Sequence, residues 1–194
     1  MIKAIVFDFN GVFANPREKQ IMFNACSKLG RNKLLAEIKY YFYMPSLESG
    51  SIRDRQFWSK LLGKLSDAQY KKLVVNEFAK PFKTNEALYR LCKKLAKKFS
   101  LHLLSNSNAL QAFAYKKQKL YAPFEKVFLS HETGFVKPNP SAFSDFLKKT
   151  WLKARECVFV DDKLLNVLVA KLFGFRGIQF RNDAQFEKEL RETI

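Results

Sequence analysis

Cysteine is scarce in this chain. Cys26, Cys92 and Cys157 are odd in number and widely spaced, with no CxxC pair among them. That argues against a disulfide framework and points to a reduced, cytoplasmic protein. No apolar run approaches the ~20 residues of a membrane span. The opening "MIKAIVFDF" also lacks the basic-then-apolar order of a secretory signal. There is no internal repeat and no low-complexity tract. Acidic residues are few as well, 18 against 35 Lys and Arg, for a net charge of +17.

Where that charge lies decides what it means. Residues 15–83 carry 14 Lys/Arg against 6 Asp/Glu, and residues 84–180 carry 17 against 7. The excess is spread over the chain and not gathered in one arm. In "CKKLAKK" (Cys92–Lys98) the lysines form the solvated side of a helical pattern that includes Leu91 and Leu95. No nucleic-acid motif is present, although tyrosines interleaved with lysines in "AYKKQKLY" (Ala114–Tyr121) keep a polyanion-binding module as an alternative. A diffuse positive field steers anionic substrates such as phosphates.

What the chain has is a clear alternation, and at 194 residues it can bury a sizeable core. Five short apolar runs read as buried strands: "KAIVFD" (Lys3–Asp8), "SLHLLSN" (Ser100–Asn106), "KVFLS" (Lys126–Ser130), "CVFVDD" (Cys157–Asp162) and "GIQF" (Gly177–Phe180). Helical stretches lie between the last four, over 109–120, 141–152 and 164–173. The second is entered through Asn139 and Pro140, and the third is closed by Gly174. This pattern predicts an α/β fold with a parallel sheet covered on both faces.

Residues 15–83 break the alternation with four helix signals in a row. The first opens on Asn15, Pro16 and Glu18; the second follows Gly30 and ends before Pro45; the others begin at Ser51 and Ser66. The expected organisation is a core of residues 1–14 and 84–194, with an inserted four-helix cap at 15–83 standing over the first strand's carboxyl end.

Ligands of open parallel sheets bind at the carboxyl ends of strands. There the runs end in Asp8, in Ser105-Asn106 and in Asp161-Asp162, while the third leads through "HETGFVKPNP" to Lys137. Each residue alone has an ordinary reading as a turn former or solvated side chain. Together they converge on one edge, and adjacent carboxylates repel unless a cation or proton separates them.

"DFNGV" (Asp8–Val12), "LLSNS" (Leu103–Ser107), "GFVKPNPSAF" (Gly134–Phe143) and "VFVDD" (Val158–Asp162) resemble, in order and spacing, the four motifs of the haloacid dehalogenase superfamily. "ESGSIRDRQFW" (Glu48–Trp58) and "VDDKLLNV" (Val160–Val167) look closest to its small-molecule phosphatases, including the amino-terminal domains of soluble epoxide hydrolases. The resemblance implies a Rossmann-like core with a cap of the first class. It implies Asp8 as nucleophile on phosphorus, and Mg²⁺ held by Asp8, the Asn10 backbone carbonyl and Asp162, with Asp161 reaching it through water. Ser105 and the Asn106 backbone N–H would hold a phosphoryl oxygen, and Lys137 would offset negative charge beside Asp8. The expected substrate is a small phosphorylated metabolite.

Asn10 departs from the pattern. Phosphatases of this family carry an aspartate there, which protonates the leaving oxygen and later activates water. An amide exchanges no proton near neutral pH, and general acid–base catalysis is typically worth about 10²–10⁴-fold. Slow turnover on alkyl phosphates is therefore expected. Three readings follow: the substrate has a good leaving group (acyl, aryl or anomeric), a cap residue or water supplies the proton, or the protein turns over slowly and mainly binds. A metal-independent 2-haloacid dehalogenase is the rival within the fold, and the Asp161-Asp162 pair argues against it. His102, Cys157, Phe57 and Trp58 read as core; Arg17 and "YYFYM" (Tyr40–Met44) are the cap features expected to touch substrate.

Overall fold

The computed structural model describes residues 1–194. All five expected strands form: β1 (Ala4–Phe7), β2 (Ser100–Ser105), β3 (Lys126–Leu129), β4 (Cys157–Asp161) and β5 (Arg176–Gln179). They pair in parallel throughout, in the order β3-β2-β1-β4-β5. Phe7 lies opposite Leu103 on one side and Val160 on the other, so β1, β2 and β4 end level.

Side chains alternate across the sheet. Ile5 and Phe7 of β1, with Val158 and Val160 of β4, enter the larger apolar cluster. Ala4, Val6, Cys157 and Phe159 enter a smaller one on the opposite face. Burial on both faces explains why these strands read as unbroken apolar runs.

Between β1 and β2 the chain is helical: α1 (Glu18–Leu29), α2 (Lys33–Glu48), α3 (Asp54–Leu62), α4 (Asp67–Tyr70), a π-helical segment (Lys71–Val75) and α5 (Asn76–Ala79), then α6 (Glu86–Leu95). The backbone stays right-handed helical from α4 through the π segment into α5, so the fourth expected helix is one continuous run with a π bulge. Ser66 caps it as expected, accepting from Gln69 N–H at 3.2 Å. The strand leaves and the helices return side by side. Ala14 bridges Thr84, and Asn85 N–H donates to the Phe13 carbonyl at 2.9 Å.

The remaining helices are α7 (Ala109–Lys117), the short α8 (Ser130–Thr133), α9 (Pro140–Thr150), α10 (Leu164–Leu172) and α11 (Asp183–Thr193). Tyr115 of α7 and Phe186 of α11 cover the larger cluster; Phe143 and Phe146 of α9 cover the smaller. No helix is long and apolar enough to cross a membrane.

Three boundaries differ from expectation. The second helix does not end before Pro45. Proline only removes the bond to the Tyr41 carbonyl, and α2 runs on to Glu48 because buried Leu47 anchors its last turn. Helices α1 and α3 begin at Glu18 and Asp54, each three residues after the first residue of its start signal. The strongly polar α11 carries no clear helix signal in the sequence, since only Phe186 and Leu190 bury.

Phe7 is fully buried, with its ring 5.4 Å from Phe13 and 5.8 Å from Phe186. Replacing it with alanine is expected to cost about 3–5 kcal/mol. Urea unfolding of Phe7→Ala against wild type measures the loss.

Candidate active site

The level strand ends bring the predicted residues together. Asp8 follows β1, its N–H donating to the Val160 carbonyl at 2.8 Å, which fixes it beside the end of β4. Its Oδ1 accepts from the Phe9 N–H at 2.7 Å and lies 3.2 Å from Lys137 Nζ. The same ammonium reaches Asp161 Oδ2 at 2.6 Å, and all three side chains are at most 5% exposed. Asp161 is further held by Asn166 Nδ2 at 2.9 Å and by the Lys163 N–H at 2.9 Å. Both its oxygens are thus occupied within the protein.

Lys137 is positioned through its backbone. Its N–H donates to Asn106 Oδ1 at 2.8 Å, and its carbonyl accepts from Asn106 Nδ2 at 2.9 Å. Ser105, at the end of β2, is buried; its hydroxyl donates to the Asn106 carbonyl at 3.4 Å, and its nearness to Asp8 favours the ionised carboxylate. Burial nevertheless dominates. It pushes the Asp8 carboxyl up to about 6, against the pull of Lys137 and with the added repulsion of Asp161. For Lys137, burial works downward but is outweighed by the charges of Asp161 and Asp8, which raise its pKa.

Oxygens of Asp8, Asp161 and Asp162 lie within 4.8 Å of one another. Asp162 Oδ1 is buried with no hydrogen-bond partner in the protein, and burial followed by repulsion from Asp161 raises its pKa. Three close carboxylates with one ammonium leave a negative excess, and an unpartnered buried carboxylate oxygen is costly unless a cation meets it. The donor set is all oxygen, which suits Mg²⁺. Gly11 makes the approach possible. At φ +83° its hypothetical Cβ would stand 2.3 Å from Asp162 Oδ2, so only glycine fits there.

Asn10 is tied on both sides of its amide. Tyr115 O–H donates to Oδ1 at 3.0 Å; Nδ2 donates to the Asn106 carbonyl at 3.1 Å and to Gln111 Oε1 at 3.3 Å. A carboxylate offers no donor to those two carbonyl oxygens.

Beside Asp8 opens a cavity of about 300 Å³. Asn10 and Asn106 line it from the strand ends, and Tyr40, Tyr41, Met44 and Glu48 line it from α2. Part of the aromatic run therefore faces the cavity as expected, while Phe42 points to solvent at 74% exposure. Arg17 does not face it. Its guanidinium donates to the Lys80 and Pro81 carbonyls and lies 3.9 Å from the Phe82 ring centroid, fastening the start of α1 to the returning chain. His102 is buried in β2 against Phe146, as expected of a core residue.

Glu18, Gln111 and Glu48 are among the cavity residues that carried no site signal in the sequence. Glu18 read only as part of a helix start, Gln111 only as one residue of a helix, and Glu48 reaches the cavity because α2 passes Pro45. Burial, joined by repulsion from Asp8 and Glu18 and countered by Lys163, pushes the Glu48 carboxyl up to about 7.

A parallel sheet whose central strand ends in an aspartate, with a lysine and two further acids at neighbouring loops, defines a class. The family model for haloacid dehalogenase-like hydrolases matches residues 2–174, and the chain belongs to that family. It is 30% identical over 203 residues to a D-ribitol-5-phosphate phosphatase of Bacteroides thetaiotaomicron, covering 98% of this chain and 97% of that protein. A flavin mononucleotide hydrolase of Arabidopsis thaliana is 28% identical over 94 residues, covering 48% of this chain and 38% of that protein. Among solved structures, a HAD family enzyme from Bacteroides thetaiotaomicron, an aspartate-to-alanine mutant in complex with magnesium and inorganic phosphate, superposes with a TM-score of 0.79 at 24% identity (94% and 97% of the two chains). The L-2-haloacid dehalogenase of Xanthobacter autotrophicus has the same fold, with a TM-score of 0.68 at 19% identity (100% and 84%).

Removing the shared ammonium leaves two buried carboxylates facing each other. Lys137→Met is expected to destabilise the fold by about 3–5 kcal/mol near neutral pH. Without the lysine the folded-state pKa of Asp8 rises further above its unfolded value. Such a group stabilises while protonated and loses that contribution as pH rises. The deficit should therefore narrow as the pH falls towards about 6, because Asp8 of the variant takes up its proton above the wild-type value of about 6. Chemical denaturation of both proteins across that range tests the sign.

Proposed function

We propose that this protein is a Mg²⁺-dependent phosphatase of small organic phosphates, with Asp8 as the nucleophile. The observation that carries the reading is the acidic cluster at the strand ends, where Asp162 keeps a buried, unpartnered oxygen while Lys137 neutralises only part of the charge. The relative named a D-ribitol-5-phosphate phosphatase supports a small phosphorylated substrate.

In this reading Asp8, the Asn10 backbone carbonyl and Asp162 hold the cation, which supplies charge neutralisation for a phosphate approaching a carboxylate. Asp161 has both oxygens engaged by Lys137, Asn166 and the Lys163 N–H, so its part is to hold the lysine more than to reach the metal. One oxygen of Asp8 attacks phosphorus, the ester P–O bond breaks, and the bonding pair leaves with the ester oxygen, which is protonated by water. Water then cleaves the aspartyl-phosphate, returning the carboxylate and releasing inorganic phosphate. Ser105 and the Asn106 N–H hold a phosphoryl oxygen, and Lys137 meets the charge that spreads over the transferring group. Residues 15–83 act as the cap that closes the cavity from the α2 side.

Asn10 cannot give the departing oxygen a proton, so that oxygen either takes one from water or, where its conjugate acid is acidic enough, departs as the oxyanion and is protonated in solvent. A dehalogenase reading has no use for an acidic cluster that only a cation satisfies. A polyanion-binding role has no concentrated basic groove behind it, since the positive excess is spread over the chain.

Phosphate release from an aryl phosphate should require Mg²⁺, stop on chelation and vanish in Asp8→Asn. Wild-type rates in Asp8→Asn would remove Asp8 as nucleophile. Asn10→Asp should raise kcat on alkyl phosphates by about 10²-fold. Its carboxyl would face the Asn106 carbonyl, which favours the protonated form that a general acid needs.

A further inference from the structure

The second step of the reaction makes a demand that no choice of substrate relieves. Once Asp8 carries the phosphoryl group, the nucleophile is always water and the group displaced is always the Asp8 carboxylate. A good leaving group can do without an acid in the first step. Water attacking phosphorus must still lose a proton, whatever alcohol has gone. The Asn10 amide takes up no proton, so the base has to come from elsewhere in the cavity.

Three carboxylates line that cavity: Asp8, Glu18 and Glu48. Asp8 is the group that is phosphorylated. Glu18 is 1% exposed, with Oε1 held by Asn108 Nδ2 at 2.8 Å, and is sealed into the wall. Glu48 is only half-buried and keeps accessible surface. Its Oε2 accepts from Asn106 Nδ2 at 3.4 Å. The same Nδ2 donates to the Lys137 carbonyl at 2.9 Å, and Lys137 Nζ stands 3.2 Å from Asp8. Glu48 thus borders the phosphoryl position from α2, while Asp8 approaches it from the sheet. In an in-line displacement the alcohol leaves on the side of phosphorus away from Asp8, and water enters by that same side.

Backbone packing holds Glu48 in place. It is the last residue of α2, and the chain then turns at Gly50 with φ +72°. A Cβ there would stand 2.5 Å from the His131 carbonyl oxygen, so glycine lets the end of α2 lie against α8. The surroundings suit a base. Burial raises the Glu48 carboxyl, Lys163 pulls it back, Asp8 and Glu18 raise it further and Lys137 lowers it, leaving it at about 7. A base works best with its pKa near the operating pH. A proton donor to the leaving alcohol would have to be protonated, whereas the Asn106 N–H₂ group donating to Glu48 favours the carboxylate.

We propose that Glu48 is the general base that activates water against the aspartyl-phosphate. This rests on the phosphatase reading and adds a catalytic residue to it. The Glu48 carboxylate takes a proton from water as the water oxygen bonds to phosphorus. The bond from phosphorus to the Asp8 oxygen breaks, and its electron pair returns to the Asp8 carboxylate. Inorganic phosphate leaves, and Glu48 passes its proton to solvent.

The test is rapid-quench kinetics on an aryl phosphate with Mg²⁺, following both the aryl alcohol and the phosphorylated chain. Glu48→Gln removes the base and keeps the shape. It should release a burst of aryl alcohol matching the active sites, then turn over about 10²-fold or more below wild type. Phosphorylated protein should accumulate in the acid-quenched samples, and acetyl phosphate should give the same slow steady rate, because both substrates share the second step. Wild-type kcat in Glu48→Gln would overturn the inference while leaving the phosphatase standing. So would slow turnover with neither burst nor phosphorylated chain, which places the effect before the second step. No Mg²⁺-dependent release by the wild type from either substrate would overturn both. Should Glu48→Gln fail to fold, Glu48→Ala is read by the same outcomes.

Discussion

The site depends on one buried ammonium shared by two carboxylates. Lys137 sits between Asp8 and Asp161 at 3.2 and 2.6 Å, with essentially no water around any of the three. Each buried charge costs several kcal/mol in desolvation, and only close geometry with further hydrogen bonds repays it. The protein supplies those bonds: Phe9 N–H to Asp8, Asn166 and Lys163 N–H to Asp161, and the Asn106 amide on both sides of the Lys137 peptide. The sheet supplies the geometry, because β1 and β4 are neighbours in register and their carboxylates emerge side by side. Asp161 is held by Lys137, Asn166 and the Lys163 N–H, and Gly11 clears the space in which Asp162 turns inward.

The amide at position 10 belongs to the same network. Its N–H₂ group satisfies two carbonyl oxygens and its oxygen takes the Tyr115 proton, so Asn10 links the turn after β1 to α7 and to the loop after β2. A carboxylate could keep only the Tyr115 bond unless it were protonated or Gln111 turned its amide. The amide thereby ties together three segments of the cavity wall. It also fixes Gln111 with its oxygen towards Asn10 and its nitrogen left free.

Strand ends were legible in the sequence because β1 and β4 bury both faces and stop on the first acid that tolerates the sheet's edge. Asp8, Ser105, Asn106, Lys137 and the Asp161-Asp162 pair could be named from that pattern and from motif order. The insertion was harder. Pro45 reads as a stop, yet Leu47 buries deeply enough to carry α2 past it, and that one extra turn delivers Glu48 to the cavity. Arg17 reads as a substrate contact by charge, but carbonyls at Lys80 and Pro81 and the Phe82 ring claim it. Glu18 and Gln111 were invisible for a different reason: each sits where a helix would place an ordinary surface polar residue. Only packing across 90 residues of sequence, Glu18 against Asn108, turns them inward.

In the proposed reaction one constraint falls on the leaving group. Asn10 supplies no proton, so the departing oxygen must leave readily or draw on water. A sugar-alcohol phosphate remains slow under that constraint, since its leaving oxygen is that of an ordinary alcohol. An anomeric sugar phosphate meets it, because the ring oxygen bonded to the same carbon withdraws electrons and stabilises the departing oxyanion. Cavity size bounds the skeleton from above. A five- or six-carbon chain or ring is compatible with walls at Pro16, Met44 and Pro45, with Tyr40 and Tyr41 beside them.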